Sequence, residues 1–390
     1  TKDPKKIKWS SSLESKFVRG HKLQFDQKAI CKSLYRPFTE TFVYFDQDLI
    51  HRMGQMGKIF PKSGVDNLII GVTGVGSQEF SCLMSKLPPS LDFLSKSQCF
   101  PLAIFEEENI KNSVELSLDF QGLNSIQDGI FDEILNTYRL HYKNQDISKN
   151  DIFYYIYGVL HSEDYRERFC QNLTKSLPRI PIVKSQDDFY RFCRSGKQLG
   201  QLHTDFNAVE KYQVTIKQGD LRLLYIENPK TFFRVEKMRF VSKNDKSTVI
   251  YNQNITIENI PIEAYEYVVN GKSALEWIME RQAITTDKTS GITNDANHYA
   301  NETFNNPAYP LELFQRIITV SLETINIVIS LGIAVVSNLP SRVLIWIPLS
   351  RRLLTSLTIP KKLLDRRDNS EITRTDPDSI FFNSLDSSGL

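Results

Sequence analysis

The stretch DIFYYIYGVLHSEDYRERFCQNLTKSLPRIPIVKSQDDFYRFCRSGKQLGQLHTDF, residues 151–206, decides how this chain folds. Its pattern predicts three helices around one stiff turn. Ser148 stands three residues before Asp151, which is typical of a capping box and predicts a helix that starts near Lys149. Ser162 is suited to cap a second helix, because acidic residues follow it directly.

The segment LPRIPIV, residues 177–183, separates the second helix from the third. Pro178 and Pro181 cannot continue a helix, so the segment is predicted to be extended and to present Arg179 stiffly. A third helix is predicted to open at Asp187 and to carry further basic residues.

This region is basic. Residues 166–197 contain eight Lys/Arg and three Asp/Glu, a net charge of +5. A basic surface with interleaved aromatic residues suits a phosphate backbone. A solvated helical face shows the same pattern, and charge alone favours that second interpretation.

Composition bounds the remaining possibilities. The chain has 390 residues, of which 41% are hydrophobic and 24% charged, which is typical of a soluble globular protein with one large domain or two ordinary ones. Its five cysteines form no CxxC pair, which argues against a disulfide framework or a zinc site and indicates a reducing cytoplasm. The basic start has no apolar run behind it, and the chain looks like a piece of a longer polypeptide.

Outside the central stretch, the pattern mixes helices and strands, and the alternation after Phe206 predicts an antiparallel meander. The predicted fold class is α+β, a helical cluster plus the meander. The other predicted elements are strands at 23–26, 42–46 and 99–105, a buried strand that runs into a glycine turn within 67–76, helices at 29–34, 127–142, 261–269, 273–282 and 311–331, and polar loops at 106–124 and 287–302.

Two short motifs imitate cofactor sites. Gly71, Gly74 and Gly76 follow a predicted strand, but the third glycine of a GxGxxG fingerprint is missing. The sequence NNPAY, residues 305–309, is similar to the NPPY motif of amino-methyltransferases but lacks the second proline and lies where a helix is predicted to start. We interpret both as structural.

Several longer motifs occur in one order along residues 7–331. They are SLYRPFTETFVYFD (33–46), GVGSQEFSCLM (74–84), IYGVLHSEDYRERFCQNLTKSLPRIPIV (156–183), FYRFCRSGKQLGQLH (189–203) and KSTVIYNQNITIENIPIEAYEYVVNGKSALEWIMER (246–281). Together they resemble the target-recognition region of Type ISP restriction-modification enzymes. These enzymes join a nuclease, a helicase-like ATPase, an adenine-N6 methyltransferase and a C-terminal specificity domain in one polypeptide.

The resemblance implies a DNA-binding specificity module that is not an enzyme by itself. It implies double-stranded DNA and the parent's methyltransferase domain as partners, a bacterial cytoplasmic location and no membrane. S-adenosylmethionine, ATP and Mg²⁺ are expected for the parent enzyme and no cofactor for this chain. The expected division is a mixed part that packs on the methyltransferase (1–145), a DNA-recognition region (146–331) and an atypical tail (332–390).

Phosphate contacts are expected from the basic helices and the turn at Arg179, and base contacts from the meander. A β-ribbon can enter the major groove, and Lys237 and Arg239 are predicted on one face of a strand, with Lys246 in a turn. The candidate DNA-binding residues are Arg36, Arg52, Arg166, Arg168, Lys175, Arg179, Lys184, Lys237, Arg239 and Lys246.

Two other functions stay open. The chain could be a structural fragment that folds only against its methyltransferase neighbour and has no DNA affinity of its own. It could also be a degenerate S-adenosylmethionine-dependent DNA methyltransferase, which would need residues 305–309 or the turn at 71–76 to bind the cofactor.

Overall fold

A computed structural model of the protein describes residues 3, 5, 9–51, 53–61, 64–77, 79–105 and 126–332. Arg52, the predicted surface loop at 106–124 and residues 333–390 of the predicted tail lie outside the described residues. The predicted α+β class is confirmed, because helices and small antiparallel sheets make up the described chain.

The elements up to the first long helix are short. They are α1 (Ser11–Val18), β1 (Ile30–Arg36), β2 (Thr39–Tyr44), α2 (Met56–Ile59), β3 (Ile69–Val72), β4 (Cys82–Ser85), β5 (Gln98–Pro101), β6 (Ala103–Phe105), β7 (Ile126–Asp128) and α3 (Asp132–Tyr142). Strands β4, β3 and β5 form one antiparallel sheet, and β6 pairs with β7.

The central stretch folds as the capping patterns predict. Its helices are α4 (Lys149–His161), α5 (Glu163–Arg168), α6 (Cys170–Leu173) and α7 (Gln186–Thr204). At the start of α4, the Ser148 hydroxyl accepts from the Asp151 amide, and the Asp151 carboxylate accepts from the Ser148 amide. Ser162 caps α5, as predicted. The predicted second helix is broken at Phe169, so α5 and α6 are two short helices.

After α7 the elements are again mostly short. They are β8 (Thr215–Ile216), α8 (Pro229–Phe232), β9 (Arg239–Ser242), β10 (Asp245–Ile250), β11 (Thr256–Glu258), β12 (Val268–Val269), β13 (Lys272–Ser273), α9 (Ala274–Arg281), β14 (Thr285–Thr286), β15 (Thr293–Asn294), α10 (Ala296–Thr303) and α11 (Tyr309–Leu331).

The predicted meander is present but smaller than expected. Strands β9, β10 and β11 follow one another, and β8 completes a four-stranded antiparallel sheet in the order β8–β11–β10–β9. The alternation at 221–225 and 233–235 does not form strands. There the side chains of Asp220 and Asn228 accept backbone amide hydrogen bonds that start a 3-10 turn at Leu221–Leu223 and helix α8. Local capping therefore overrides the period-two pattern.

Four other local predictions are wrong. Residues 23–26 form no strand, and the predicted helix at 29–34 is strand β1, whose residues pair with β2 in a hairpin. The predicted helix at 261–269 is a 3-10 turn followed by β12. The predicted loop at 287–302 contains α10, because the Asp295 side chain caps that helix.

The described residues form two large hydrophobic clusters and a small one around Ile59. The first, here the helical core, surrounds α4 and α7 and includes Tyr138, Tyr155 and Phe189. The second, here the sheet core, joins the four-stranded sheet to α9, α10 and the first half of α11. Helix α11 belongs to both, because Phe314 lies in the sheet core and Leu331 in the helical core.

Helix α11 is also long and apolar enough to cross a membrane, judged by length and composition alone. Core packing accounts for much of this apolar character, since Phe314, Ile317 and Ile318 are fully buried against the rest of the protein. A core helix of this kind meets the same length and composition criteria as a membrane span.

Candidate nucleic-acid interface

The proline-containing segment at 177–183 is fixed to the helical core through its backbone. The Tyr165 hydroxyl donates to the carbonyl O of Arg179 (3.0 Å), and the Tyr155 hydroxyl donates to that of Pro181 (2.6 Å). The Val183 amide donates to the Tyr155 hydroxyl (3.2 Å), and the Val183 carbonyl accepts from the Tyr142 hydroxyl (2.7 Å). Three buried tyrosines therefore hold an extended strip, here the proline strip, which belongs to none of the strands of the described residues.

This arrangement presents cations from a rigid support. Arg179 is exposed within the strip, Lys184 is exposed directly after it, and Lys175 is exposed just after α6. Within the described residues none of the three forms an ion pair. A rigidly held cation loses less conformational entropy on meeting a phosphate than one on a mobile loop.

The two arginines of α5 differ from these three residues and from each other. The Arg168 guanidinium is exposed and pairs with the Asp164 carboxylate one turn earlier (2.8 Å). Arg166 is half-buried: its Nε donates to the carbonyl O of Leu160 (2.7 Å), and its Nη2 lies 3.5 Å from the Sγ of Cys82. Arg166 thus closes the end of α4 against β4.

The register of the four-stranded sheet places further predicted residues together. Ile250 pairs with both Arg239 and Thr256, and the Lys217 amide donates to the carbonyl O of Thr256 (3.0 Å). The start of β9, the end of β10, the start of β11 and the end of β8 therefore share one end of the sheet, here the Arg239 end. Arg239 begins β9, but Lys237 precedes the strand, so the prediction that both lie on one strand face is wrong for Lys237. Both residues are exposed at this end, and neither has an ion pair among the residues described.

Lys246 lies at the opposite end of that sheet. Lys246 was predicted to lie in a turn. It belongs instead to β10, because the preceding residue, Asp245, already pairs with Ser242 across the hairpin. Its Nζ pairs with the Glu276 carboxylate (3.0 Å) and lies 5.4 Å from the ring centre of Tyr265. The structure thus separates Lys246 from the two cations of the Arg239 end.

Arg36 ends strand β1, in the extended conformation expected before a proline. Its Nη1 donates to the carbonyl O of Tyr35 (2.9 Å) and to the Ser90 hydroxyl (3.2 Å), and its guanidinium lies over the Tyr35 ring. Arg36 is only half-exposed. Of the predicted residues, Arg52 alone lies outside the described part of the chain.

A buried polar chain joins four elements and was not predicted from the sequence. The Tyr157 hydroxyl on α4 accepts from the Met84 amide of β4 (2.9 Å), so its own hydrogen is directed to the Nδ1 of His203 on α7 (2.6 Å). The Nε2–H of His203 then donates to the Thr324 hydroxyl of α11 (3.0 Å). Every hydrogen-bonding group named in this buried series has a partner when His203 is neutral. The available signal was a lone histidine near the end of an amphipathic helix, which does not reveal its partners.

Two histidines at this junction are kept uncharged. Burial, and after it the nearby Arg166 charge, lower the pKa of His203 to about 3. Burial, and then Arg166, hold the pKa of His161 well below its usual range. The Nδ1–H of His161 donates to the carbonyl O of Tyr157 (2.9 Å), one turn back along α4. These contacts are structural, because the groups are enclosed and satisfied by neighbours.

Residues 305–309 have the role that the helix-start interpretation gives them. Tyr309 is buried at the first turn of α11, stacks on Phe304 at 4.0 Å between ring centres, and donates from its hydroxyl to the Oδ1 of Asn207 (2.9 Å). The Asn306 side chain accepts from the Ala308 amide (3.0 Å). In the part of the chain that the structure describes, no group of three or more His, Cys, Asp or Glu is placed to hold a metal ion.

Comparison with known proteins gives a consistent result. The family described as the Type ISP C-terminal specificity domain matches residues 1–313. A search among curated proteins gave no match.

Three solved structures are similar to most of this chain. The ATP-dependent Type ISP restriction-modification enzyme LlaBIII bound to DNA is 32% identical over 85% of this chain, with a TM-score of 0.72. A nuclease-deletion mutant of the Type ISP enzyme LlaGI, in complex with a DNA substrate mimic, is 32% identical over 86%, with a TM-score of 0.69. A DrdV–DNA complex is 29% identical over 83%, with a TM-score of 0.68. The match spans only 20%, 23% and 30% of those three chains, respectively.

Proposed function

Since this chain belongs to the family of Type ISP C-terminal specificity domains, as its motifs indicated, we propose that it reads a short DNA sequence for a Type ISP restriction-modification enzyme. In this function it holds duplex DNA in position for adenine-N6 methylation and for restriction. Both reactions belong to domains of the parent polypeptide outside the matched part.

One observation carries the proposal: the chain shares about a third of its residues, over most of its length, with two Type ISP enzymes whose structures contain DNA or a DNA mimic. The exposed cations of the proline strip and of the Arg239 end support it. Charge alone is also typical of a solvated surface, and the family membership is what favours DNA here.

The contacts of each cation suggest its role. Lys175, Arg179 and Lys184 form no ion pair with any described residue and are proposed to bind phosphate, which fixes register without reading sequence. Lys237 and Arg239 lie at a sheet end, from which a strand or loop can reach base edges. The remaining candidates with intramolecular partners would have to exchange them for DNA; they are Arg36, Arg166, Arg168 and Lys246. Arg52 stays a prediction.

The parent enzyme supplies the rest of the proposal. Its methyltransferase domain is the proposed partner of residues 1–145, and residues 146–331 would face the DNA. S-adenosylmethionine, ATP and Mg²⁺ would serve the methyltransferase, helicase-like and nuclease parts. The proposed location is the bacterial cytoplasm, where such enzymes act against phage DNA.

The test is selection of the full 390-residue chain against a randomised duplex pool, at about 50 mM and about 200 mM salt. Enrichment of one short motif that survives the higher salt is the expected result. Binding without a motif, or none at all, would contradict independent recognition and favour a fragment that needs its methyltransferase neighbour. Calorimetric titration with S-adenosylmethionine is expected to show no binding, and measurable binding would favour the degenerate methyltransferase.

A further inference from the structure

Two apolar side chains project into solvent from the loop between β8 and α8. Tyr225 is 94% exposed and Leu223 is 83% exposed. The Tyr225 ring has no hydrogen bond and no ring contact within the residues that the structure describes. Large apolar side chains this exposed, and adjacent in one loop, are typical of a contact surface for a partner.

The loop is held in a defined shape. The Gly219 amide donates to the carbonyl O of Ile216 (2.9 Å), and Gly219 has a φ of +95°, which suits glycine. The Asp220 carboxylate accepts from the Arg222 amide (3.0 Å), and the Leu223 amide donates to the Asp220 carbonyl (3.0 Å). Leu221 packs on the sheet core. One leucine therefore anchors a turn from which its neighbours project outward.

The loop lies at the Arg239 end of the sheet, because it continues directly from β8 at Lys217. The segment after α8 returns to the same end, since the Asn252 side chain donates to the carbonyl groups of Phe232 (2.8 Å) and Arg234 (2.9 Å). Residues 217–239 contain six Lys/Arg and three Asp/Glu, a net charge of +3. Within this range Arg222 pairs with Asp220, and Arg234 pairs with Asp295. The exposed cations without an ion pair among the described residues are Lys217, Lys230, Lys237 and Arg239, and they surround the apolar pair.

We propose that this loop, residues 219–225, contacts DNA bases directly, with Tyr225 and Leu223 inserted against or between base pairs while the surrounding cations hold the phosphates. The inference rests on the proposed function and goes beyond it by assigning a base-contacting element. Aromatic and aliphatic side chains act in this way in proteins that unstack or bend DNA, because every base has an apolar face.

Charge distinguishes DNA from a protein partner at this site. A second protein surface that covered Leu223 and Tyr225 would have to be acidic to match the net positive surround. Duplex DNA provides both features at once, a negatively charged backbone and apolar base faces a few ångströms apart. We therefore argue for DNA and leave the methyltransferase domain as an outcome of the test.

The first experiment is hydroxyl-radical oxidation of the full chain with and without random-sequence duplex DNA at about 50 mM salt, with peptides read by mass spectrometry. Oxidation of Leu223 and Tyr225 is expected to fall at least fivefold when DNA is bound. Leu140, which is 75% exposed on α3, is the internal reference and is expected to be oxidised equally in both samples.

The second experiment measures DNA affinity of the variants Leu223→Ala, Tyr225→Ala and the double substitution. Loss of base stacking is expected to weaken binding about 5- to 150-fold in the double variant. Leu140→Ala is the matched control and should bind as the unmodified chain does. Folding is expected to be unaffected, because neither loop side chain is part of a core.

The outcomes separate the two proposals. If the chain binds no DNA at this salt, the proposed function fails and the inference fails with it. If DNA binds while Leu223 and Tyr225 stay as oxidised as in the free chain, and the double variant keeps its affinity, the inference alone is overturned. In that second case, protection by an added methyltransferase domain would identify the loop as a domain interface.

Discussion

The helical core and the four-stranded sheet build their surfaces in opposite ways. Around α4 and α7, buried tyrosines bind backbone groups of the proline strip, so that its cations stand on a fixed support. The strands of the sheet have two to six residues, and its Arg239 end carries exposed side chains with few partners. The first arrangement suits the DNA backbone, which is the same in every sequence. The second can change side chains without disturbing a core, which suits the proposed role of reading a DNA sequence.

The largest expected effect concerns the crossing of α4 and α7. A Cβ on Gly196 would lie 1.9 Å from the carbonyl O of Tyr154, so the helices would have to separate. We expect Gly196→Ala to lower the free energy of unfolding by about 3 kcal/mol or more, measured by urea denaturation. Gly57→Ala in α2 is the control, because its Cβ would meet only the Sδ of Met53 at 3.4 Å. Equal stability of the two variants would contradict a rigid helical region.

A second test removes one hydroxyl from the buried polar chain. Tyr157→Phe leaves the Met84 amide and the Nδ1 of His203 buried without a partner, which is expected to cost about 2–3 kcal/mol of stability. Tyr225→Phe is the matched control in the other region, and its stability should change by less than about 0.5 kcal/mol. A loss below about 1 kcal/mol for Tyr157→Phe would show that water replaces the hydroxyl and that the junction is looser than described.

The third test uses pH. His203 is neutral when folded, with its pKa lowered to about 3, whereas an unfolded histidine binds a proton near pH 6.5. The unfolded chain therefore gains protons first, and the stabilisation decreases as the pH falls from about 6.5 toward 3. Going from pH 7 to pH 5 should cost about 2 kcal/mol through His203.

His203→Gln keeps hydrogen-bonding groups but cannot titrate, so its stability should fall less over this pH range. Urea unfolding at the two pH values measures the difference between the chains. If both chains lose the same stability between pH 7 and pH 5, groups other than His203 dominate the acid sensitivity.

The smallest effect compares the two regions that are proposed to face DNA. Arg179→Gln is expected to weaken binding to every duplex by about 1 kcal/mol and to reduce the salt slope by about one. Arg239→Gln is expected to relax the selected sequence at one position, by about tenfold. Repeating the pool selection with each variant measures both. A sequence-specific loss at Arg179, together with a uniform loss at Arg239, would reverse the roles assigned to the two regions.

Local signals predicted the central helical stretch well. The Ser148 and Ser162 caps and the prolines of the 177–183 strip act on their nearest neighbours in sequence, so the helices and the strip were found where expected. Residues 29–34 show the limit. Their apolar pattern is compatible with a short helix, and only pairing with β2 across the hairpin makes them a strand.

The sequence by itself determined the family, the α+β class and the list of available cations, because motifs, composition and capping residues are properties of neighbouring positions. Only the tertiary structure decided which of these cations have intramolecular partners among the described residues. Arg166 and Arg168 stand two residues apart in α5, yet one closes a helix end against β4 and the other pairs with Asp164 at the surface. Likewise, strand register puts Arg239 at one end of the sheet and Lys246 at the other. Partners distant in sequence fix these differences, and no local pattern encodes them.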